Sequence, residues 1–462
     1  MARVSLVNPA LFMENDPYAK KYDPKIPIGL LYLASMLETE GHSVQIIDAA
    51  FDGLTSSQII VKLKQFNPNY IGFTCVSANR KVAIELAKLV KIILYDVPKI
   101  VFGGIHPTLD PETFLAESAI DYVISGEGEY ALMKLCSENE HPSKIDGLSY
   151  KGKGNEIILS TKPADRIRNL DALPFPAYHL LDMQKYFQKR KTICMVASRG
   201  CIFDCNYCAS TSFWGKTIIF RSPENVFSEI KNYLNKFPDV RNYHFLDDNF
   251  TAGGRFLVKF CNLVNNLSIK WRCIGCIEHL CEEVIAIMAN SGCYSISFGV
   301  ESGSEKIQWN CRKQIDLQLL PKKIELLRKH GIHTKAFFMF GFPGETKEDI
   351  LQTIHYSLRL KEHGLEDAAF MSLIPYPGTE VHAMHSKKHL HGFGDVGKAT
   401  DWLDTPDKSI ATKLAKYRIY PLISANEFFT GMQLRTIAKE AYALFYSNEC
   451  SEPLVNFLEN NF

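Results

Sequence analysis

The sequence predicts an α/β protein with a doubly wound domain at its front, a βα series of barrel type behind it, and a helical end. Three observations carry this expectation. β-branched runs alternate with helix-like stretches to about residue 140, the alternation resumes after a polar, proline-bearing segment, and it yields to helical periodicity from about residue 396. In the first series, strands are expected at Val4–Asn8, Val44–Asp48, Tyr70–Cys75, Lys99–Gly103 and Tyr122–Ser125, with amphipathic segments such as Gly29–Glu40 and Ala83–Leu94 between them. Such five-stranded sheets bind ligands beyond the carboxyl ends of their strands.

Residues 147–160 read as a hairpin, with Leu148-Ser149-Tyr150 and Ile157-Ile158-Leu159 flanking Lys151-Gly152-Lys153-Gly154-Asn155. The stretch from Thr161 to about Lys189, with Leu173-Pro174-Phe175-Pro176 inside it, reads as a linker. Strands of the second series are expected near Ile193–Ala197, Tyr243–Leu246, Lys270–Ile274, Tyr294–Gly299, Thr334–Phe340 and Ala369–Ile374. Six βα repeats imply a partial or complete barrel of the TIM type, with functional residues where strands end. Helices are expected at Ile410–Ile419 and Glu427–Tyr446. The domain limits are therefore 1–145, 146–190, 191–395 and 396–462.

Composition narrows the class. Hydrophobic residues are 46% and charged residues 22% of 462, the balance of a globular protein. Lys plus Arg (52) against Asp plus Glu (51) leaves a formal charge of +1, which argues for neither a nucleic-acid nor a membrane partner. No apolar run reaches membrane-spanning length, and Met1-Ala2-Arg3-Val4 enters a strand without signal-peptide features, so a cytoplasmic protein is expected. Thirteen cysteines there fit reduced thiols and metal ligation better than a disulfide framework. Cys75, Cys136, Cys261 and Cys293 lie in apolar periodic segments and are expected in the core.

Ser198-Arg199-Gly200-Cys201-Ile202-Phe203-Asp204-Cys205-Asn206-Tyr207-Cys208 sets three thiols in one loop directly after the first strand of the second series. Zinc would want a fourth Cys or His at recognisable spacing, and a ferredoxin four cysteines. Three thiolates holding a 4Fe-4S cubane leave one iron open.

This C-x-x-x-C-x-x-C after a barrel strand resembles the signature of the radical S-adenosylmethionine (SAM) superfamily. The resemblance implies that Cys201, Cys205 and Cys208 hold the cluster, that SAM chelates the open iron, and that an electron from the cluster yields a 5'-deoxyadenosyl radical. It also implies a low-potential electron donor such as flavodoxin or ferredoxin. Tyr207 stands where relatives place an aromatic against adenine, simple packing being the other reading. Asp247-Asp248-Asn249 ends the second strand, where its oxygens are suited to the methionyl ammonium; a turn with solvated acids competes. Glu301 and Ser302, in Gly299-Val300-Glu301-Ser302-Gly303, resemble the ribose and carboxylate contact, and Phe342, in Gly341-Phe342-Pro343-Gly344-Glu345, the adenine turn. Many relatives carry Arg near the end of the third strand, where this chain reads Gly275-Cys276-Ile277-Glu278. Cys273-x-x-Cys276 with Cys281 nearby is also compatible with a second metal site, although a strand alternates sides.

The front domain lacks the G-x-G-x-x-G of a dinucleotide fold; its first strand ends Val7-Asn8-Pro9. Gly103-Gly104-Ile105-His106 and Ser125-Gly126-Glu127-Gly128 follow the fourth and fifth strands and resemble the Rossmann-like cobalamin-binding domain ahead of many radical SAM enzymes. Paired glycines let backbone approach a flat cofactor, and Asn8, Thr74 and Ser77 are expected beside it. None of the fourteen histidines has Asp two residues before it, so cobalt is expected without the D-x-H-x-x-G histidine. His106 is a cofactor-edge or a structural residue, and a vestigial domain is the alternative for the whole region. The domain order is similar to that of class B methyltransferases, which implies methylation of an unactivated carbon or phosphorus of a small molecule. Radical cyclisation or rearrangement is the rival reading, and an iron-sulfur sensor a more distant one.

Overall fold

The computed structural model describes residues 1–11, 25–95, 98–137, 141–152, 157–313, 315–388 and 426–447. They form two compact units that divide after Arg190.

The first unit is built on a seven-stranded sheet in the order β2-β1-β3-β4-β5-β6-β7. Its strands are β1 (Arg3–Asn8), β2 (Ser43–Asp48), β3 (Tyr70–Thr74), β4 (Lys99–Gly103), β5 (Tyr122–Ile124), β6 (Leu148–Lys151) and β7 (Ile158–Ser160). The first five run parallel in a doubly wound order. Successive side chains feed opposite layers: Ile100 and Phe102 of β4 enter one core with Phe73 and Phe114, and Val101 enters the other with Leu6, Leu30 and Leu132. The expected five strands thus gain two, because the hairpin of β6 and β7 pairs antiparallel onto β5.

The boundary expected at residue 145 is corrected by this sheet and by residues 161–190. The stretch read as a linker is part of the first unit. Phe51 stacks on Tyr186 with ring centroids 3.5 Å apart, and the Tyr186 hydroxyl donates to the buried Asp48 carboxylate. The Ala177 amide donates to the Leu31 carbonyl at 3.1 Å.

The second unit holds a six-stranded parallel sheet in chain order: β8 (Thr192–Met195), β11 (Asn242–Phe245), β12 (Lys270–Ile274), β13 (Cys293–Glu301), β14 (His333–Phe340) and β15 (Asp367–Ser372). A separate ribbon pairs β9 (Ser198–Arg199) with β10 (Ile219–Phe220). Helices Pro223–Lys236, Gly254–Val264, Glu282–Asn290, Leu320–Lys329 and Lys347–Glu362 return each strand to the next. Strands β8 and β15 are the two edges, which makes a partial (β/α)6 barrel. An aromatic nest of Phe245, Phe250, Phe260 and Trp271 fills one flank. The helix Gly431–Tyr446 lies on β15, where the Tyr446 hydroxyl accepts the Ala368 amide at 3.0 Å and Lys361 donates to the Phe445 carbonyl at 2.6 Å. It realises most of the helix expected at Glu427–Tyr446; the one expected at Ile410–Ile419 lies outside the described residues. Among the described residues no helix is long and apolar enough to cross a membrane.

Candidate active site

The three-cysteine loop leaves β9 through Gly200, whose φ is +99° and where a Cβ would lie 2.2 Å from the Thr217 carbonyl oxygen. Only glycine turns the chain into Cys201 there. Cys205 is buried, and Cys208 caps the helix Ala209–Trp214, whose amides of Ser210 and Thr211 point at its sulfur. Distant elements fix the loop: the Asn206 amide donates to the Cys311 carbonyl at 3.3 Å, its side chain to the Asn310 carbonyl at 2.8 Å, and the Val381 amide to the Asn206 carbonyl at 3.2 Å. Burial pushes the Cys205 thiol up to about 11, and that of Cys208 also up. Cys208 lies within electrostatic reach of both Cys201 and Cys205. Among the described residues no three Cys, His, Asp or Glu side chains gather as a single metal ion requires. A cubane takes each thiolate on a different iron, so its ligands stand farther apart than those of one ion, and three thiols on one loop suit it.

Around this loop the barrel's strand ends bring together Tyr207, Glu301 and Phe342. A bulge between Gly299 and Glu301 and a φ of +68° at Glu301 turn that buried carboxylate back over the strand. A Cβ on Gly299 would lie 2.0 Å from Glu301 Oε1, so the glycine is what admits it. The Tyr207 hydroxyl bonds to Glu301, and its ring meets Phe342 edge-on with centroids 5.4 Å apart.

Lys313, which sequence reasoning missed, completes the cluster of groups. Its ammonium lies 3.7 Å from Glu301 Oε1 and within electrostatic reach of Cys276, Cys205 and Glu278. Burial alone would lower its pKa, but those neighbours outweigh burial and raise it. A cation therefore stands in the site although the third strand ends without arginine. It carried no signal in sequence, because it follows a short helix and belongs to no strand end.

Other expected residues serve as braces. Asp247 is buried, accepting the Ala197 amide at 3.2 Å and the Ser198 hydroxyl at 2.6 Å, and so ties β11 to the start of the cysteine loop. Asn249 accepts the Cys276 amide at 3.2 Å, and Ser302 shares a 2.8 Å hydrogen bond with Thr353. Asp248 alone of its triplet is exposed, within electrostatic reach of Cys208. Burial pushes Asp247 up to about 7, whereas an unfolded aspartate ionises near 4. Between those values the native chain keeps a proton the unfolded chain has lost, so the stability present below about pH 4 is lost as pH rises through about 7. Anaerobic urea unfolding should show that decline, and Asp247→Asn should flatten it; an unchanged slope would contradict this assignment.

The Gly341–Glu345 turn is held from within and from the chain's far end. Glu345 accepts the amides of Gly341 and Phe342. The buried Asn426 donates to the carbonyls of Phe342 at 3.1 Å and Glu345 at 3.0 Å, and Glu427 accepts the Gly344 amide at 3.0 Å.

In the first unit, Thr74 and Gly103 are register partners at adjacent strand ends. Gly104 has a φ of +102°, and a Cβ there would lie 2.8 Å from the Cys75 carbonyl oxygen. The Thr108 hydroxyl donates to Gly104 at 2.8 Å and accepts the Gly126 amide at 3.0 Å, joining the two glycine turns. Gly126, at φ +88°, has open space where a side chain would be. His106 packs inward, 2% exposed, with Nδ1 2.8 Å from the Ser77 hydroxyl and its ring against Phe114. Glu127 accepts Arg166 Nε at 3.1 Å and the Ile167 amide at 2.8 Å, and the Asn8 side chain donates to Asp48 at 2.8 Å. The last two are structural ties.

Comparison with known proteins agrees with this architecture. Residues 21–136 match the B12 binding domain family and residues 195–357 the Radical SAM superfamily. The uncharacterized methyltransferase PH0819 of Pyrococcus horikoshii is 31% identical over 427 residues, covering 91% of this chain and 87% of that protein. The chain thus belongs to the radical SAM enzymes that carry a B12-binding domain. The cytidylyl-2-hydroxyethylphosphonate methyltransferase of Streptomyces wedmorensis is 25% identical, over 82% of this chain and 80% of that one. Among solved structures, the radical SAM methyltransferase TsrM of Kitasatospora setae superposes with a TM-score of 0.70 at 19% identity, over 84% of this chain and 76% of that one, a likeness of fold.

Proposed function

We propose that the chain methylates an unactivated carbon or phosphorus of a small molecule, with SAM as both radical source and methyl donor. The observation that carries this reading is the convergence of Tyr207, Glu301, Lys313 and Phe342 on a three-thiol loop, behind a domain with two glycine turns at its strand ends. When bound, the cluster supplies the electron that breaks the SAM carbon-sulfur bond and cobalamin carries the methyl group. The protein's part is to hold and orient. Cys201, Cys205 and Cys208 hold the cluster, Lys313 pairs with the methionyl carboxylate, Asp248 accepts from the ammonium, Glu301 accepts from ribose hydroxyls, and the Phe342 turn receives adenine. Thr74, Gly103, Gly104 and Gly126 line the cobalamin. Electrons come from a flavodoxin or ferredoxin in the reducing cytoplasm.

Support comes from the curated relatives, among which the Pyrococcus horikoshii and Streptomyces wedmorensis proteins are methyltransferases by name. The deciding experiment supplies SAM with a deuterated methyl group, anaerobically and with dithionite, to candidate substrates. Label in the product is expected; an unlabelled cyclised or rearranged product would replace methylation by the rival chemistry. Because Asn426 braces the adenine turn, Asn426→Ala should raise the KM for SAM about tenfold, the worth of one or two buried hydrogen bonds. The rate at saturating SAM should change little. An unaltered KM would remove Asn426 from this role.

A further inference from the structure

The inner face of the six-stranded sheet carries a polar row below the strand ends. On β12, Trp271 and Cys273 are buried on the helix-covered side, Trp271 against Phe245 and Phe260, so Arg272 between them projects to the opposite, concave face. Cys273 is thus a core thiol and not half of a second metal site. Arg272 is in register with His244 of β11 on one side and with Ser295 of β13 on the other, and Ser295 in turn with His333 of β14. In the next row of that face Ser297 lies between Ile274 and Lys335, whose ammonium is paired with Asp367 at 2.8 Å. The Arg272 guanidinium has no such counter-charge: among the described residues no carboxylate pairs with it. Its Nη2 lies 3.3 Å from His244 Nδ1, and because arginine only donates, that nitrogen accepts and the imidazole keeps its proton on Nε2. Its Nε is enclosed without a hydrogen-bond partner, and its Nη1 is open.

From this geometry we infer that Arg272, oriented by His244 and flanked by the Ser295 and Ser297 hydroxyls, binds an oxyanion carried by the substrate, a carboxylate or a phosphate group. The inference rests on the radical reading of the strand ends above. A permanent cation partly withdrawn from water without a counter-charge is costly, and the planar fork of guanidinium donors matches the oxygens of carboxylates and phosphates. The Ser295 hydroxyl stands 3.5 Å from His333 Nδ1, and the Ser297 hydroxyl makes no side-chain hydrogen bond among the described residues, so both have capacity to donate to a ligand. Ser297 precedes Glu301 by four residues of β13, on the order of 12 Å of strand. The substrate is therefore an elongated molecule, anchored by its charged group on the inner face, with its reacting centre reaching up to SAM at the strand ends. A neutral analogue of the same length loses the anchor.

Equilibrium binding to full-length, anaerobically reconstituted protein tests this without turnover. Inorganic phosphate and succinate are titrated calorimetrically at low chloride, and saturable binding of at least one is expected; the tighter of the two tells a phosphorylated from a carboxylated substrate. Arg272→Ala should weaken that binding about tenfold or more, and Arg272→Lys, which keeps the charge but not the fork, by less. Ser297→Ala, which changes no charge, should weaken it about threefold. Binding of neither anion, or equal binding by wild type and Arg272→Ala, overturns the inference. Should Arg272→Ala fail to fold, as its urea midpoint reports, Arg272→Lys and Ser297→Ala decide, and wild-type affinity in both overturns it. A wild type that binds the anion through Arg272 yet forms no 5'-deoxyadenosine leaves the site standing and defeats the radical reading instead.

Discussion

Cys205→Ala should reduce iron and sulfide to background and lower 5'-deoxyadenosine formation by at least about a thousand-fold, roughly 4 kcal/mol of barrier. Cys205 is the most buried thiol of its loop, and the backbone around it is fixed by Asn206 to Asn310, Cys311 and Val381. Cys261→Ala is the control, since that sulfur is buried in the flank of the barrel and its loss should cost stability without costing iron. Iron analysis with an anaerobic assay decides it, and a Cys205→Ala protein that still cleaves SAM at the wild-type rate would end the cluster assignment.

Arg221→Ala should lower stability by about 3–5 kcal/mol, as removing one partner of a buried ion pair does. Arg221 is 4% exposed and Glu229 is fully buried. The guanidinium donates to the Glu229 carboxylate, to the Asn225 side chain at 2.7 Å and to the Val196 carbonyl at 2.9 Å, while the Tyr233 hydroxyl donates to Glu229 at 2.9 Å. Alanine strands a carboxylate in the interior and releases the backbone two residues before β9. Cluster content should therefore fall along with the urea midpoint. Changing both partners together, Arg221→Met with Glu229→Leu, should recover most of the midpoint, because no charge is then left behind. A single variant as stable as wild type would show that the pair is not closed in solution.

Both βα series were legible because strand alternation and helix periodicity are local properties, and the three-cysteine loop because its ligands are contiguous. The boundary after Arg190 was not. Proline and polar residues in 161–190 look like a linker, and what binds them to the sheet is Tyr186 on Phe51 and Asp48, contacts between residues more than a hundred positions apart. Strand-end position located Asp247 and Asn249 correctly along the chain, yet position does not fix which way a side chain turns. Asp247 turned inward to the amide of Ala197, while its neighbour Asp248 faced outward. Glu127 likewise sits at a strand end but answers Arg166 and Ile167 from the segment that looked like linker. Lys313 and Asn426 belong to no motif; only the folded chain brings one to Glu301 and the other to the Phe342 turn.

The bracing of that turn by Asn426 has an implication for biogenesis. The residue that secures the Phe342 carbonyl is made 84 residues after it, about 4–17 s later at roughly 5–20 residues/s on the ribosome. A nascent chain can therefore emerge with its barrel strands complete while its Gly341–Glu345 turn still waits for a clasp. Maturation should run in that sequence, the Phe342 turn settling only after the helix Gly431–Tyr446 has docked.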